Sequence, residues 1–237
     1  MKDVEKGGES SAVLAQSTSG DEIVVNLESS GGMVHSYGLA ASQLDRIKKQ
    51  NIPLTVCVDK VAASGGYMMA CVADKILAAP FAIIGSIGVV AQIPNINKLL
   101  KRHDVDVELM TAGKYKRTLT VLGENTDEAR EKFREDLEDI HSLFKEYVME
   151  RREKVDIEQV ATGEIWYGSR AQKVGLVDDI QTSDEYLTGL AKDCRVFKVH
   201  YVEKKTLPEK LGIAAEESSE RFILRWFDRL LKPRHYS

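Results

Sequence analysis

Residues 53–73 read PLTVCVDKVAASGGYMMACVA. An apolar run at 53–58 is followed by small residues, one serine and two glycines, and then by a helix-like run at 67–73. This order predicts a buried strand, a tight turn and a helix. The same order occurs upstream, where the strand-like residues 23–27 lead to Gly31 and Gly32 and then to helical spacing over 34–49. Two such units in succession predict an α/β fold with a parallel sheet, right-handed crossovers and flanking helices.

The rest of the chain contains further candidate elements. In the first helix, Leu39, Leu44 and Ile47 show the helical spacing. Apolar stretches predict short strands at 75–79, 86–91 and 105–110 and an edge strand at 196–202. The predicted helices are a short one at 95–102, another short one within 164–180 and an amphipathic one at 215–231. A long amphipathic helix is predicted at 126–154, with Thr126 as its cap. We therefore expect a polar tail or shortened helix at 1–20, one α/β domain at 21–202 and a C-terminal helix with a tail at 203–237.

Composition narrows the class of protein. Among 237 residues, 33 Lys and Arg against 37 Asp and Glu give a net charge of −4 with both signs interspersed, which argues against a nucleic-acid partner. Three scattered cysteines without a CxxC pair predict neither a zinc site nor a disulfide framework. The first residues lack the apolar stretch of a signal peptide. Residues 76–97 carry no charge, but their prolines and glycines favour buried strands over a transmembrane span.

Ser64 is the candidate nucleophile. It lies between a strand and a helix and is followed by Gly65 and Gly66, which allow a sharp turn and expose backbone N–H groups to a reacting carbonyl. Gly31 and Gly32 also follow a strand end, and parallel strands end at one rim, so their N–H groups could complete an oxyanion hole. The competing interpretation is that Ser64 is an N-cap serine in an ordinary turn.

The base is less clear from the residues alone. His35 lies near the glycine pair, but none of the five histidines has a recognisable acid partner, so a Ser-His-Asp triad has little support. A lysine can act as a base when burial lowers its pKa towards neutrality. Lys114 and Lys116 are candidates, and both can equally be read as solvated surface lysines.

Several motifs in register carry a family resemblance. Residues 27–32 (LESSGG), 61–67 (VAASGGY), 85–89 (GSIGV), 113–117 (GKYKR), 162–168 (TGEIWYG) and 175–178 (GLVD) resemble the signal peptide peptidase A family of serine proteases, peptidase family S49. The resemblance runs from about Ser11 to the C-terminus. It implies a ClpP/crotonase-like fold and a Ser-Lys dyad without a metal or organic cofactor.

The resemblance also implies roles for single residues. Ser64 matches the nucleophile, Lys116 the general base, and Ser86 a serine that hydrogen-bonds the lysine. Gly31, Gly32 and Gly65 match the oxyanion region, whereas Lys114 matches no functional position. The family implies polypeptide substrates held as extended strands, including signal peptide remnants, at the periplasmic face of the bacterial inner membrane. It also implies a homo-oligomeric ring in which one subunit's serine meets a neighbour's lysine.

Two features depart from the family pattern. Family members carry a membrane anchor, a strand and a helix before the glycine pair, which suggests that this chain, with its short polar start, is a shortened form. Ser30 stands where the family has proline. We expect the apolar face at 215–231 to pack on a neighbouring subunit, with a membrane surface as the alternative. The alternatives to a peptidase are a crotonase-like acyl-CoA enzyme and a catalytically silent subunit that binds peptides or supports assembly.

Overall fold

The computed structural model describes residues 20–199. In chain order, its elements are β1 (Ile23–Asn26), α1 (Val34–Lys48), β2 (Leu54–Val58), β3 (Val61–Ala63), α2 (Gly65–Ala70), β4 (Lys75–Ala78), β5 (Ile83–Gly85), α3 (Asn97–Arg102), α4 (Asp127–Met149), α5 (Ile157–Val160), β6 (Ile165–Tyr167), α6 (Gly168–Lys173), β7 (Asp179–Ile180) and α7 (Ser183–Leu190).

The larger sheet has four parallel strands in the order β1-β2-β4-β7. Val56 of β2 lies opposite Val25 of β1 and Ile76 of β4. All five residues of β2 are buried, as expected for a central parallel strand covered on both faces. The predicted α/β fold with a mainly parallel sheet and flanking helices is therefore confirmed.

A second sheet of three strands carries the turn that contains Ser64. Its order is β3-β5-β6, with β3 parallel and β6 antiparallel to β5. A bridge between Ser29 and Ala62 attaches the segment after β1 to β3. This attachment brings the segment containing Gly31 and Gly32 alongside the strand that ends at Ser64.

Helix α1 packs on α2. Its buried residues are Tyr37, Ala41, Leu44 and Ile47, whereas Leu39 is 61% exposed. At 100° per residue, Leu39 lies about 140° around the helix from Leu44, so the two side chains lie on different faces. The predicted helix is present, and only Leu44 and Ile47 of the three spaced residues are buried.

Helix α4 begins as predicted, because the Thr126 hydroxyl accepts a hydrogen bond from the Ala129 N–H at 3.1 Å. It ends at Met149 and not at 154. Its buried side chains are Phe144 and Val148, near the C-terminal end. Beyond that end, Arg152 donates to both carboxylate oxygens of Asp178 at 2.9 Å, which fastens the chain after α4 to the segment before β7.

Two predicted strands are absent. Residues 86–91 and 105–110 form no strand; β5 ends at Gly85, where φ is +90°, and Ser86 follows with φ of 50°. This bend turns the chain out of the sheet direction. Residues 196–199 are not a strand, and the expectations for 1–19, 200–202 and 215–231 lie outside the described residues. Within residues 20–199, no helix is both long enough and apolar enough to span a membrane.

Candidate active site

Ser64 lies at the junction of β3 and α2 in an unusual backbone conformation. Its φ is 53° and its ψ is −122°, a region that L-residues with a side chain rarely adopt. Its N–H donates to the Gly85 carbonyl at 2.7 Å, which ties the turn to the end of β5. Although Ser64 occupies the N-cap position, its side chain makes no capping hydrogen bond. The N-cap interpretation therefore explains the position of Ser64 but gives its hydroxyl no structural role.

Gly31 lies directly against this turn. A Cβ built on Gly31 would be 2.8 Å from the Ser64 Cβ and 2.9 Å from the Gly65 nitrogen, and Gly31 has a φ of +92°. Both the contact and the dihedral angle exclude a larger residue. The structure thus brings Gly31, Ser64 and Gly65 together, as the sequence predicted.

The three candidate oxyanion N–H groups differ in their hydrogen bonding. The Gly31 N–H donates to the Ser29 hydroxyl at 3.3 Å. Across residues 20–199, the N–H groups of Gly32 and Gly65 have no hydrogen-bond acceptor. These two N–H groups are therefore available to a ligand, whereas the Gly31 N–H already donates to the Ser29 hydroxyl.

Ser86 lies beside Ser64 at the ends of neighbouring strands. Ala63 pairs with Gly85 in the sheet, so the residues that follow them are adjacent at the same edge. The Ser86 N–H donates to the Glu164 carbonyl at 2.8 Å. Ser86 is half-buried and, like Ser64, has a positive φ.

The three candidate bases, Lys116, Lys114 and His35, differ in their surroundings. Lys116 is exposed in the segment between α3 and α4, and in the described part of the chain no hydrogen bond or ion pair joins its amine to Ser64 or Ser86. Lys114 forms an ion pair with Glu128 at 2.9 Å, and this hydrogen bond raises the pKa of Lys114 above its ordinary value. His35 is exposed at the start of α1, and no described hydrogen bond connects it to Ser64. Within residues 20–199, the structure therefore brings the serine and glycine part of the predicted site together, and no hydrogen bond joins a candidate base to Ser64.

Sequence reasoning missed Ser29 and Tyr37. Tyr37 is buried, and its hydroxyl lies 2.8 Å from the Ser29 hydroxyl. A Cβ built on Gly32 would lie 2.8 Å from the Tyr37 ring, and one built on Gly65 would lie 2.4 Å from it. The helical spacing of Tyr37, Ala41 and Leu44 was the available signal that this ring points inward.

Comparison with known proteins identifies the family. The family model for peptidase family S49 matches residues 46–196, and the model for the S49 N-terminal region matches residues 6–44. The chain belongs to peptidase family S49. This result confirms the resemblance that the motifs carry.

Several of the matching relatives bear protease names. A probable protease SohB of Haemophilus influenzae is 57% identical over 218 residues, covering 92% of this chain and 62% of the relative. A probable protease SohB of Buchnera aphidicola subsp. Schlechtendalia chinensis is 60% identical over 179 residues, covering 76% and 59%. A putative protease of Methanocaldococcus jannaschii is 33% identical over 190 residues, covering 79% and 60%. The chain thus spans about three fifths of the length of these relatives.

Proposed function

We propose that this chain is a serine endopeptidase in which Ser64 is the nucleophile and Lys116 the general base. The observation that carries the proposal is the Ser64 turn: a strained, non-glycine residue holds a hydroxyl that caps nothing, in contact with Gly31 and next to the Gly65 N–H. Strained dihedral angles of this kind persist where the surrounding structure enforces them, and they cluster at active sites. Membership of family S49 supports the same assignment.

The reaction follows serine acyl transfer. The unprotonated Lys116 amine takes the proton from the Ser64 hydroxyl as its oxygen attacks the peptide carbonyl carbon. The carbon–nitrogen bond then breaks, the leaving amine takes the proton from Lys116, and an ester to Ser64 remains. Lys116 next deprotonates a water molecule that attacks the ester, and the proton returns to the Ser64 oxygen as the acid product leaves.

The N–H groups of Gly32 and Gly65 are the proposed oxyanion donors. Both are unengaged in the described part of the chain, whereas the Gly31 N–H is shared with the Ser29 hydroxyl. Preorganised donors of this type stabilise the charge that develops on the carbonyl oxygen in the transition state. Because Gly31 has no Cβ, its main contribution is to let the Gly31–Gly32 turn lie close to Ser64.

The base is proposed to come from another copy of the chain. Lys114 forms an ion pair with Glu128, and Lys116 is exposed with no described hydrogen bond to Ser64. Contact with a neighbouring subunit would desolvate Lys116 and favour the unprotonated amine. By family resemblance, we propose a homo-oligomeric ring at the periplasmic face of the inner membrane that cleaves extended polypeptides such as signal peptide remnants. Ser86 would hydrogen-bond the incoming lysine.

One observation favours a second candidate function. Because Lys116 is exposed and makes no described hydrogen bond to Ser64, a subunit that binds peptides or supports assembly without turnover also fits the geometry. Peptide binding with no cleavage by the assembled protein would support this alternative.

Ser64→Ala tests the proposal. Alanine keeps the Cβ and the backbone conformation, so the fold and the oligomeric state should not change, while cleavage of casein should fall at least a thousandfold. A peptidyl phosphonate should label the wild type at Ser64 and leave the variant unlabelled. If Ser64→Ala keeps a tenth of the wild-type activity in a clean preparation, the nucleophile is another residue.

A further inference from the structure

Ser29 and Tyr37 form a pair that contacts every glycine of the proposed oxyanion region. The Ser29 hydroxyl accepts from the Gly31 N–H and lies 2.8 Å from the Tyr37 hydroxyl. The Tyr37 ring fills the space that a Cβ on Gly32 or on Gly65 would occupy. One side chain of α1 therefore lies against both segments that carry the proposed donors.

The segment after Ser29 has few other anchors. Ser29 itself is fixed to β3, since its N–H donates to the Val61 carbonyl at 2.9 Å and its carbonyl accepts from the Ala63 N–H at 3.0 Å. Beyond it, the glycine pair makes no backbone-to-backbone hydrogen bond with any described residue. Glycine loses more conformational freedom on ordering than any other residue. Apart from the packing of Gly31 against the Ser64 turn, the contacts that constrain this segment are the Tyr37 ring and the Ser29 hydroxyl.

We propose that Tyr37, acting with Ser29, is the positioning residue of the oxyanion hole. Its ring sets the separation between the Gly31–Gly32 turn and Gly65, and its hydroxyl orients the Ser29 hydroxyl that holds the Gly31 N–H. The pair keeps two donors directed at one developing oxyanion before substrate binds. This inference rests on the proposed serine peptidase function and adds a residue to it.

The test compares two tyrosine-to-phenylalanine variants. Tyr37→Phe removes the hydroxyl bonded to Ser29, while Tyr67→Phe removes a buried hydroxyl that donates to the Leu176 carbonyl at 2.8 Å and not to Ser29. Tyr37→Phe should lower kcat about tenfold with KM within about twofold, because a small misplacement of donors weakens transition-state binding more than ground-state binding. Tyr67→Phe should keep kcat within about twofold of the wild type.

Two further measurements separate positioning from loss of stability. A peptide boronate forms a tetrahedral adduct that places an oxygen at the donors. Its inhibition constant should rise in Tyr37→Phe by the same factor by which kcat/KM falls. Ser29→Ala should lower kcat to a similar extent, and the Ser29→Ala/Tyr37→Phe double variant should lose no more than the worse single variant, because the two hydroxyls act as one unit.

Hydrogen exchange gives a readout that does not depend on activity. The amides of residues 29–33 should exchange faster in Tyr37→Phe than in the wild type, and at the wild-type rate in Tyr67→Phe. Unchanged exchange, or equal losses of kcat in both variants, would overturn the inference even if Ser64 proves to be the nucleophile. An inactive wild type would instead defeat the proposed function, and exchange would still decide whether Tyr37 holds the turn.

Discussion

The two serines of the candidate site have positive φ angles, which is unusual for serine. Four non-glycine residues have a positive φ: Asn51, Ser64, Ser86 and Asp104. Asn and Asp tolerate this conformation because their short side chains can hydrogen-bond locally, but serine is not favoured there. Ser64 and Ser86 sit at the ends of the paired strands β3 and β5. Two strained serines side by side are hard to explain as turn residues alone, which supports a shared function.

The two neighbouring lysines should respond differently to truncation. Lys116→Ala should reduce peptide cleavage about as severely as Ser64→Ala, and combining both changes should add little, because members of a catalytic unit are strongly non-additive. Lys114→Ala removes an exposed ion pair with Glu128 and should keep activity within a few-fold of the wild type. Steady-state cleavage of a fluorogenic peptide measures all three variants.

Lys114→Ala is the matched control for this experiment, because it removes the same side chain two positions away. Mild and equal effects at both positions would show that residues 113–117 are only a surface loop. A pH profile governed by a group that titrates near pH 6.5, the ordinary range of histidine, would return His35 to consideration.

At the level of elements, the sequence predicted what local patterns determine. The two strand–turn–helix units and the cap at Thr126 are confirmed, and the structure places Ser64 next to Gly31 and Gly65, because apolar runs and glycines encode these local features directly. Residues 86–91 and 105–110 were misread as strands, since an apolar run does not reveal whether a neighbouring strand is available to pair with it. The contacts of Tyr37 were missed because they involve glycines in two other segments, one of them 28 residues away.

Arg152 and Asp178 join the end of α4 to the larger sheet and give a pH-dependent stability. The Asp178 carboxylate accepts from Arg152 and from the Ile76 N–H of β4 at 2.7 Å. Burial alone would raise the pKa of Asp178, but the hydrogen bonds from Arg152 and Ile76 outweigh it and hold that pKa below its ordinary value. The ionised carboxylate therefore stabilises the fold above the unfolded-state pKa of about 3.9, and this contribution is lost as the pH falls through the lower folded-state value.

Asp178→Asn should lower the free energy of unfolding by about 2 kcal/mol at pH 7. This cost is smaller than that of breaking a fully buried ion pair, because Asp178 is 38% exposed. Urea unfolding across pH measures the difference between variant and wild type. The difference should stay constant above about pH 5 and shrink below about pH 4. Asp139→Asn, at an exposed position of α4, is the control and should change stability little at any pH. A pH-independent cost for Asp178→Asn would contradict the assignment.

For the whole molecule, the segment that carries Lys116 has the surface of a contact region. In it, Met110 is 85% exposed and Leu109 is 53% exposed, and Val90, which precedes α3, is 90% exposed. A cavity of about 450 Å³ opens between this segment and Ile93 and is lined mainly by apolar side chains: Ile93, Val107, Leu109, Leu119, Val121 and Leu122, with Arg117. Exposed apolar groups concentrated in one region are typical of interaction sites. This surface supports the proposed contact between copies of the chain, at which Lys116 would meet the serine of a neighbour.

Mixing two inactive variants tests this assembly. If each site takes Ser64 from one subunit and Lys116 from the next, full exchange between equal amounts of Ser64→Ala and Lys116→Ala chains should restore about a quarter of the sites. Exchange of wild type with an equal amount of the Ser64→Ala/Lys116→Ala double variant is the reciprocal control. It should halve the activity per wild-type chain, because half of the wild-type serines then face a neighbour without Lys116. Native mass spectrometry verifies mixed assemblies, and cleavage of casein reports activity. No recovery in proven mixed assemblies, with an undiminished activity per wild-type chain in the control, would place both residues of the dyad in one subunit.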